Sequence, residues 1–413
     1  MRRLGFVLGQ TLDDLRRQRL RTILTVLGIT WGTTAVVTLL AFGVGLEHQM
    51  TVNARGMGDG IVIVWGNRTT LPFQGFSEGR QIRLTEADAD LIAREVPEIG
   101  IATPEYGRWG RRVSVGDRRT EVYLTGVRAD YGDLRNVFAE EGGRFLNEKD
   151  VAGHRRVIVL GDEVKRLLFG DEDPVGREVM VGRSPFTVVG IMVEKGQNSS
   201  YSARDQDRAF IPITTYRTME GSRFVNNLLF QPVDPELSGA AVEGAREVLG
   251  RKYAFSPADR SALNIWDTNE MMTMFKYIFI GFNVFLGLVG SFTLVVGGVG
   301  VANIMFVVVQ ERTREFGIRR ALGALRRDIL GQVLLEALLI VSVGAVLGFA
   351  LSLGLARIGA MLPIEEFVGV PTISPLVTGV TVGLLTVVAL TAGLLPARKA
   401  ARLDPADAIR RGA

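Results

Sequence analysis

Few residues in this sequence could do chemistry. The only histidines are His48 and His154, and there is no cysteine, so disulfides, thiol catalysis and Cys-based metal sites are excluded. A hydrolytic zinc centre would need several ligands at fixed spacing, as in His-Glu-x-x-His. Instead, His48 closes an apolar stretch and His154 sits in the basic turn "AGHRRV". No Gly-x-Ser-x-Gly elbow and no Gly-x-x-x-x-Gly-Lys-Ser/Thr phosphate loop occurs. The acids Glu140-Glu141 and Asp171-Glu172-Asp173 are neighbours in turn-like contexts, and they read as solvated surface. The chain is therefore expected to be no enzyme in its own right. Any ATP hydrolysis is expected on another subunit.

The densest cluster of functional groups is "ERTREFGIRRALGA", Glu311 to Ala324, with six charged residues and two glycines. On a helix, Ile318, Leu322, Leu325 and Ile329 share a face, while Arg319, Arg320, Arg326 and Arg327 point mostly elsewhere. Gly317 and Gly323 weaken the helix and predict bends. Such an amphipathic element does binding chemistry. Either it sets topology and touches lipid headgroups, or it docks on a cytoplasmic partner.

The elements that must position this segment are membrane spans. Hydrophobic residues make up 47% of the 413 positions and the mean hydropathy is +0.22, but their distribution says more than these averages. Uncharged stretches at 22–46, 277–310, 329–356 (interrupted by Glu336) and 375–397 are separated by polar sequence. At ~1.5 Å per residue the first reaches roughly 37 Å, enough for a hydrocarbon core of ~30 Å. It is too long for the apolar part of a cleaved signal, despite the small-x-small site Ala41-Phe42-Gly43, and reads as a signal anchor. The second would reach roughly 51 Å. Met271, Phe275, Ile278 and Phe282 form a helical stripe just before and into it, which reads as a stalk or as a separate amphipathic helix packed on the outer domain. Pro375 and Pro396 are expected to bound the fourth span.

The net charge of +4 points to the membrane and not to nucleic acid, because the basic residues flank the apolar stretches. Arg2, Arg3, Arg16, Arg17, Arg19 and Arg21 precede the first span. Arg312, Arg314, Arg319, Arg320, Arg326 and Arg327 lie between the second and third, and Arg398, Lys399, Arg402, Arg410 and Arg411 follow the fourth. The 357–374 loop has only Arg357, against Glu365 and Glu366. Both termini (1–21, with Leu4, Leu8, Leu12 and Leu15 at helical spacing, and 398–413, with Asp404 as a helix cap) and the 311–328 loop are thus expected in the cytoplasm of a multi-pass plasma-membrane protein. Residues 47–275 are expected outside. Small residues at four-residue spacing predict close helix packing, within one chain or across a dimer: Gly28 and Gly32, Gly298 and Ala302, Gly344, Gly348, Ser352 and Ala356, and Gly379 and Gly383. No span has a charge near its middle, so nothing suggests a proton path or a channel.

The predicted architecture is a membrane α-helical protein of four transmembrane helices, with a large α+β domain inserted between helices 1 and 2. In the insert "GIVIVWG", "RRVIVLG" and "FTVVGIMV" read as strands. "LTEADADLIAREVPEI" reads as a helix capped by Thr85, and "GDEVKRLLFG" as a helix closed by Gly170. "DRAFIPITTYRTM" reads as a strand running into a helix. Two subdomains are expected, the middle one over about 107–190.

Several segments resemble one family. "NIMFVVVQERTREFGIRRALGALRRDI" (303–329), "PARKAARLDPADAIR" (396–410), "LRRQRLRTILTVLGITWGTTAVV" (15–37) and residues 124–192 occur in the order found in MacB-like, FtsX-related permeases of ABC transporters. The resemblance covers nearly the whole chain. It implies a four-span type VII mechanotransmitter: a homodimer that binds no cofactor itself, served by a separate cytoplasmic ATPase carrying ATP and magnesium. Movement of the outer domain would drive efflux or extrusion, with an extracytoplasmic adaptor or effector as a further partner. The alternative is an FtsX-like regulator of an outer partner such as a cell-wall hydrolase. A sensor with no ATPase is the reading from a different class.

The resemblance also places the ATPase-coupling helix in the 311–324 segment. Ile318, Ala321 and Leu322 would pack into an ATPase groove. Glu311, Arg312, Arg314, Glu315, Arg319 and Arg320 would line its rim, and Gly317 and Gly323 would set the bends.

Overall fold

The computed structural model describes residues 19–197, 200–361 and 369–402. The expected helices at the two termini lie outside them. The chain divides into two compact units, Thr51–Lys276 and the remainder on either side.

Along the chain run α1 (Arg19–Arg55), β1 (Val62–Gly66), α2 (Glu86–Glu95), β2 (Ile99–Val115), β3 (Arg118–Val127), α3 (Tyr131–Leu134), α4 (Glu148–Ala152) and β4 (Val157–Leu160). Then come α5 (Asp162–Phe169), β5 (Glu178–Val181), β6 (Ser184–Ile191), β7 (Arg208–Pro212), α6 (Ile213–Glu220), β8 (Asn227–Pro232), α7 (Ser238–Tyr253) and β9 (Leu263–Asp267). The last four helices are α8 (Thr268–Glu311), α9 (Thr313–Ala321), α10 (Arg326–Gly359) and α11 (Pro375–Ala401).

The inserted unit is built on a mixed nine-stranded sheet in the order β3-β7-β4-β6-β5-β2-β8-β1-β9. Because β3 also pairs with β2, the first six strands of that order close on themselves. Alternation along each strand divides its side chains between two cores. Val62 and Val64, Ile158 and Leu160, and Leu228 and Phe230 enter one; Ile63, Val159 and Leu229 enter the other. That is why "GIVIVWG" and "RRVIVLG" carry unbroken apolar runs: both faces are covered. The sheet continues across the boundary expected near residue 107. Strand β2 serves both parts, pairing with β8 through Ile99–Glu105 and with β3 through Tyr106–Val115. One apolar cluster, from Val62 to Phe186 and Phe230, runs through both. At the start of α2, Thr85 donates its amide (2.6 Å) and its hydroxyl (3.0 Å) to the Asp88 carboxylate, and Gly170 closes α5 at a φ of 63°.

The other unit contains the apolar parts of four helices long enough to cross a membrane. Their boundaries extend past the uncharged stretches, because a helix needs only satisfied backbone bonds and continues into charged sequence at both ends. Helix α8, at 44 residues, would reach roughly 66 Å. Ile29, Val36, Leu294, Val301, Val333, Ile340, Val388 and Ala392 form the bundle core. Small residues allow close approach. A Cβ on Gly32 would lie 3.0 Å from the Leu294 Cα, and one on Gly344 2.6 Å from the Ile29 Cγ2. At Gly348 it would lie 2.6 Å from the Thr33 Cβ, and at Gly298 2.5 Å from the Val388 Cγ1. Thr34 and Ser352 tie α1 to α10, donating to the carbonyls of Gly348 (3.3 Å) and Thr34 (3.4 Å).

Within this chain Gly379 and Gly383 meet no other helix: a Cβ at either would meet no atom within 4 Å. The close approach on α11 is instead at Gly393, 2.9 Å from the Ala337 Cβ by the same construction. Pro396 does not end the fourth span. Helix α11 starts at Pro375 behind its Ser374 cap but runs through Pro396 to Ala401, where Ala397, Ala400 and Ala401 are buried. Packing of that last turn outweighs one missing backbone hydrogen bond.

Candidate functional site

The segment 311–324 folds as the nine-residue helix α9, set off from α8 at Arg312 and from α10 at Leu322–Leu325. The first bend is thus at Arg312 (φ −96°, ψ 12°) and not at Gly317, which is buried inside α9. Gly323 does make the second bend, with a φ of 98° that favours glycine. Because the chain turns there, Ile329 leaves the face of Ile318 and Leu322 and is buried in α10. The Asp328 carboxylate accepts from the Leu325 amide (3.0 Å) and caps α10.

One side of α9 is clamped. Arg312 donates through Nε to Glu315 (2.8 Å) and through Nη1 to Glu336 (2.9 Å). Arg319 donates to Gln332 (2.6 Å) and Glu315 (2.5 Å), and Gln332 donates to Glu336 (3.2 Å). Arg320 reaches the Ala401 carbonyl at the end of α11 (3.0 Å). The Arg312 hydrogen bond holds the Glu315 carboxyl below its usual range against the opposing effect of burial. Burial disfavours the Arg312 charge, but Glu315 and Glu336 more than offset it and its pKa moves up. So Arg312, Glu315, Arg319 and Arg320, expected at a partner's rim, turn toward α10 and α11.

The other side is open. Arg314, Ile318, Ala321 and Leu322 follow one another at helical spacing and are exposed, Leu322 at 83%. Glu311 is exposed at the end of α8. Sequence reasoning missed the inward partners Phe316, Gln332 and Glu336. A lone carboxylate in an otherwise apolar span was the available signal, since such a charge must be paired.

The inserted unit holds a second cluster that no motif announced. Glu105 on β2, Arg135 after α3, Asp205, and Arg208 on β7 are all fully buried. Arg135 makes two bonds to Asp205 (2.7 and 2.9 Å), Lys195 reaches it at 2.8 Å and Arg208 at 3.2 Å. Glu105 accepts from Asn227 (3.0 Å), Tyr131 (2.6 Å) and Tyr201. Burial pushes the Asp205 pKa up, but its three cations more than reverse this and it ends lowered. Burial lowers that of Lys195. Every carboxylate oxygen here accepts from protein, while Arg135 Nε and Nη1 are buried with no hydrogen-bond partner among the described residues. His48 and His154 are exposed, and among the described residues no group could hold a metal ion.

A model of the MacB-like periplasmic core domain matches residues 22–248, and one of the FtsX-like permease C-terminal region matches residues 275–405. The macrolide export ATP-binding/permease protein MacB of Rhodospirillum rubrum is 34% identical over 407 residues, 96% of this chain and 59% of that protein. Its counterpart in Azoarcus sp. is 33% identical over 96% of this chain and 58% of that protein. The chain thus spans less than two thirds of the length of these curated relatives. Among solved structures, the periplasmic region of MacB from Actinobacillus actinomycetemcomitans is 21% identical with a TM-score of 0.43, covering 54% of this chain and 96% of that one. The extracellular domain of the noncanonic ABC-type transporter YknZ from Gram-positive bacteria is 16% identical with a TM-score of 0.42, covering 50% of this chain and 100% of that one.

Proposed function

Because this chain belongs to the family of MacB-like, FtsX-type permeases, we propose that it is the membrane subunit of an ABC efflux or extrusion system. Two copies would work with an ATPase carried outside these 413 residues. The observation that carries this reading is α9. It is a short helix held on one side by Arg312, Glu315 and Arg319 and presenting Arg314, Ile318, Ala321 and Leu322 on the other. An exposed apolar strip between basic side chains suits a partner groove better than it suits water. Closure of the ATPases would push α9, the clamp would pass the push to α10 and α11, and α8 would carry it along its length. The arginine bias of the sequence supports a cytoplasmic side for α9 and both termini. The ATP and magnesium would sit on the partner, and the inserted domain would move a substrate or an outer adaptor.

The test is gentle purification of the tagged chain from its host, with mass spectrometry of what co-purifies, beside the Ile318→Asp, Leu322→Asp double variant. Both positions are exposed, so the variant should keep the clamp and the fold. An ATPase with a phosphate loop should accompany the native chain and drop at least about tenfold with the variant, a loss of about 1.4 kcal/mol or more in binding. Full retention by a correctly folded variant would remove α9 from the interface.

A further inference from the structure

We propose that the groove between α10 and α11 is a binding site for an anionic phospholipid, with an acyl chain in the groove and the phosphate on Arg357. The groove has a volume of about 580 Å³ and lies wholly between two spans. Ala345, Phe349 and Leu353 on α10 face Val382, Leu385 and Thr386 on α11 across it. Its polarity is low, since Thr386 spends its hydroxyl on the Val382 carbonyl (2.8 Å). From Leu338 to Leu353 it runs roughly 22 Å along α10, longer than the ~15 Å that one leaflet contributes to the hydrocarbon core. At this depth an apolar occupant such as an acyl chain suits it.

What makes the site specific is its end. The groove-lining row on α10 continues from Leu353 to Arg357, one helical turn on. Helical side chains lean toward the helix N-terminus, which here is toward Leu353 and the groove mouth. Arg357 is exposed and forms no ion pair among the described residues. On α11, Gly379 lies three residues before the groove-lining Val382, and a Cβ there meets no atom of this chain within 4 Å. The Arg357 guanidinium matches a phosphate in charge and in fork geometry. In the orientation given above, the headgroup lies in the outer leaflet. The site does not depend on α9 or on an ATPase, so it stands or falls apart from the coupling proposal.

The full chain would be reconstituted with equal phosphatidylglycerol and phosphatidylcholine, and its retained lipid read by native mass spectrometry. The native chain should retain phosphatidylglycerol over phosphatidylcholine by about tenfold. The exposed substitution Arg357→Gln should abolish that preference, and Ala345→Phe should reduce total retained lipid by filling the groove. The Arg326→Gln, Arg327→Gln double variant, which removes cations at the other end of α10, should leave the preference unchanged. Equal retention of the two lipids by the native chain would overturn the proposal, as would a preference that survives Arg357→Gln or disappears in the Arg326, Arg327 variant. The chain has no cysteine of its own, so Gly379→Cys gives an independent readout. Near-complete crosslinking between two copies in membranes would assign the groove to a second copy, whereas the lipid site predicts little.

Discussion

The two units each contain a network of arginines and carboxylates, and they differ in what the network holds. In the inserted unit Arg135, Asp205, Arg208 and Glu105 have no exposure, and their partners come from strands and loops of the same core. In the membrane unit the Arg312 and Glu336 side chains are 10% and 6% exposed, but Glu315 and Arg319 reach water at 37% and 29%. Their partners lie on a nine-residue helix and the start of a span. A network sealed in a core fixes one arrangement, because any member left alone is an uncompensated buried charge. A network at a solvent edge fastens one small element to its neighbours, and that element can loosen while the rest stays folded. The first suits a body that moves as a whole, and the second suits a joint.

The largest effect should come from Asp205→Asn, which leaves Arg135, Lys195 and Arg208 facing a neutral side chain. Loss of one member of a buried pair costs about 3–5 kcal/mol, so thermal unfolding of the full chain should show a strong downward shift of the inserted unit. Because the folded Asp205 pKa lies below its unfolded value near ~3.9, its contribution is present above that pH and lost as pH falls through the folded value. The native and variant curves should therefore converge in acid. A neutral-pH shift under about 1 kcal/mol would mean the cations find other partners and would dissolve the contrast with the membrane network.

That contrast was only half legible in the sequence. The spans were readable because an uncharged run long enough to cross a bilayer has few other uses. The strands of "GIVIVWG" and "RRVIVLG" were readable because β-branched runs ending at glycine have one easy conformation. The buried cluster was invisible: Glu105 and Arg208 are 103 positions apart, and only the pairing of β3 with β2 and β7 brings them together. For α9 the periodicity revealed an element but assumed one helix through Ile329. The turn at Gly323 breaks that phase, so which arginines face inward was decided by tertiary contacts with Glu336 and Gln332. Spacing placed Gly379 and Gly383 in the same class as Gly344 and Gly348, yet only the latter pair meets a neighbouring helix in this chain.

A smaller effect is expected at the joint. Glu336→Gln removes the inner carboxylate from Arg312 while keeping a hydrogen-bonding side chain of the same length. The loss should be about 1.5–3 kcal/mol, the range for a hydrogen bond to a charged group, and it should be local. Hydrogen exchange at Thr313–Ala321 should speed up by about tenfold or more while the strands of the inserted unit keep their protection. Equal loss of protection in both units would show that α9 is part of one cooperative body and not a separable joint.

The smallest effect should come from Glu172→Gln, which breaks the bond from Arg177 to Glu172 at 2.5 Å. This contact is shorter than the 2.7 Å between Arg135 and Asp205, so distance alone would rank it first. Solvent reverses the ranking. The two side chains are 51% and 55% exposed, so water screens the pair, and holding two long side chains in place opposes it. Glu172→Gln should leave the unfolding temperature unchanged within error, at low salt and at high salt alike. A drop comparable to that of Asp205→Asn would mean that burial does not separate these networks. The distinction between a sealed body and a solvent-edge joint would then have to rest on connectivity alone.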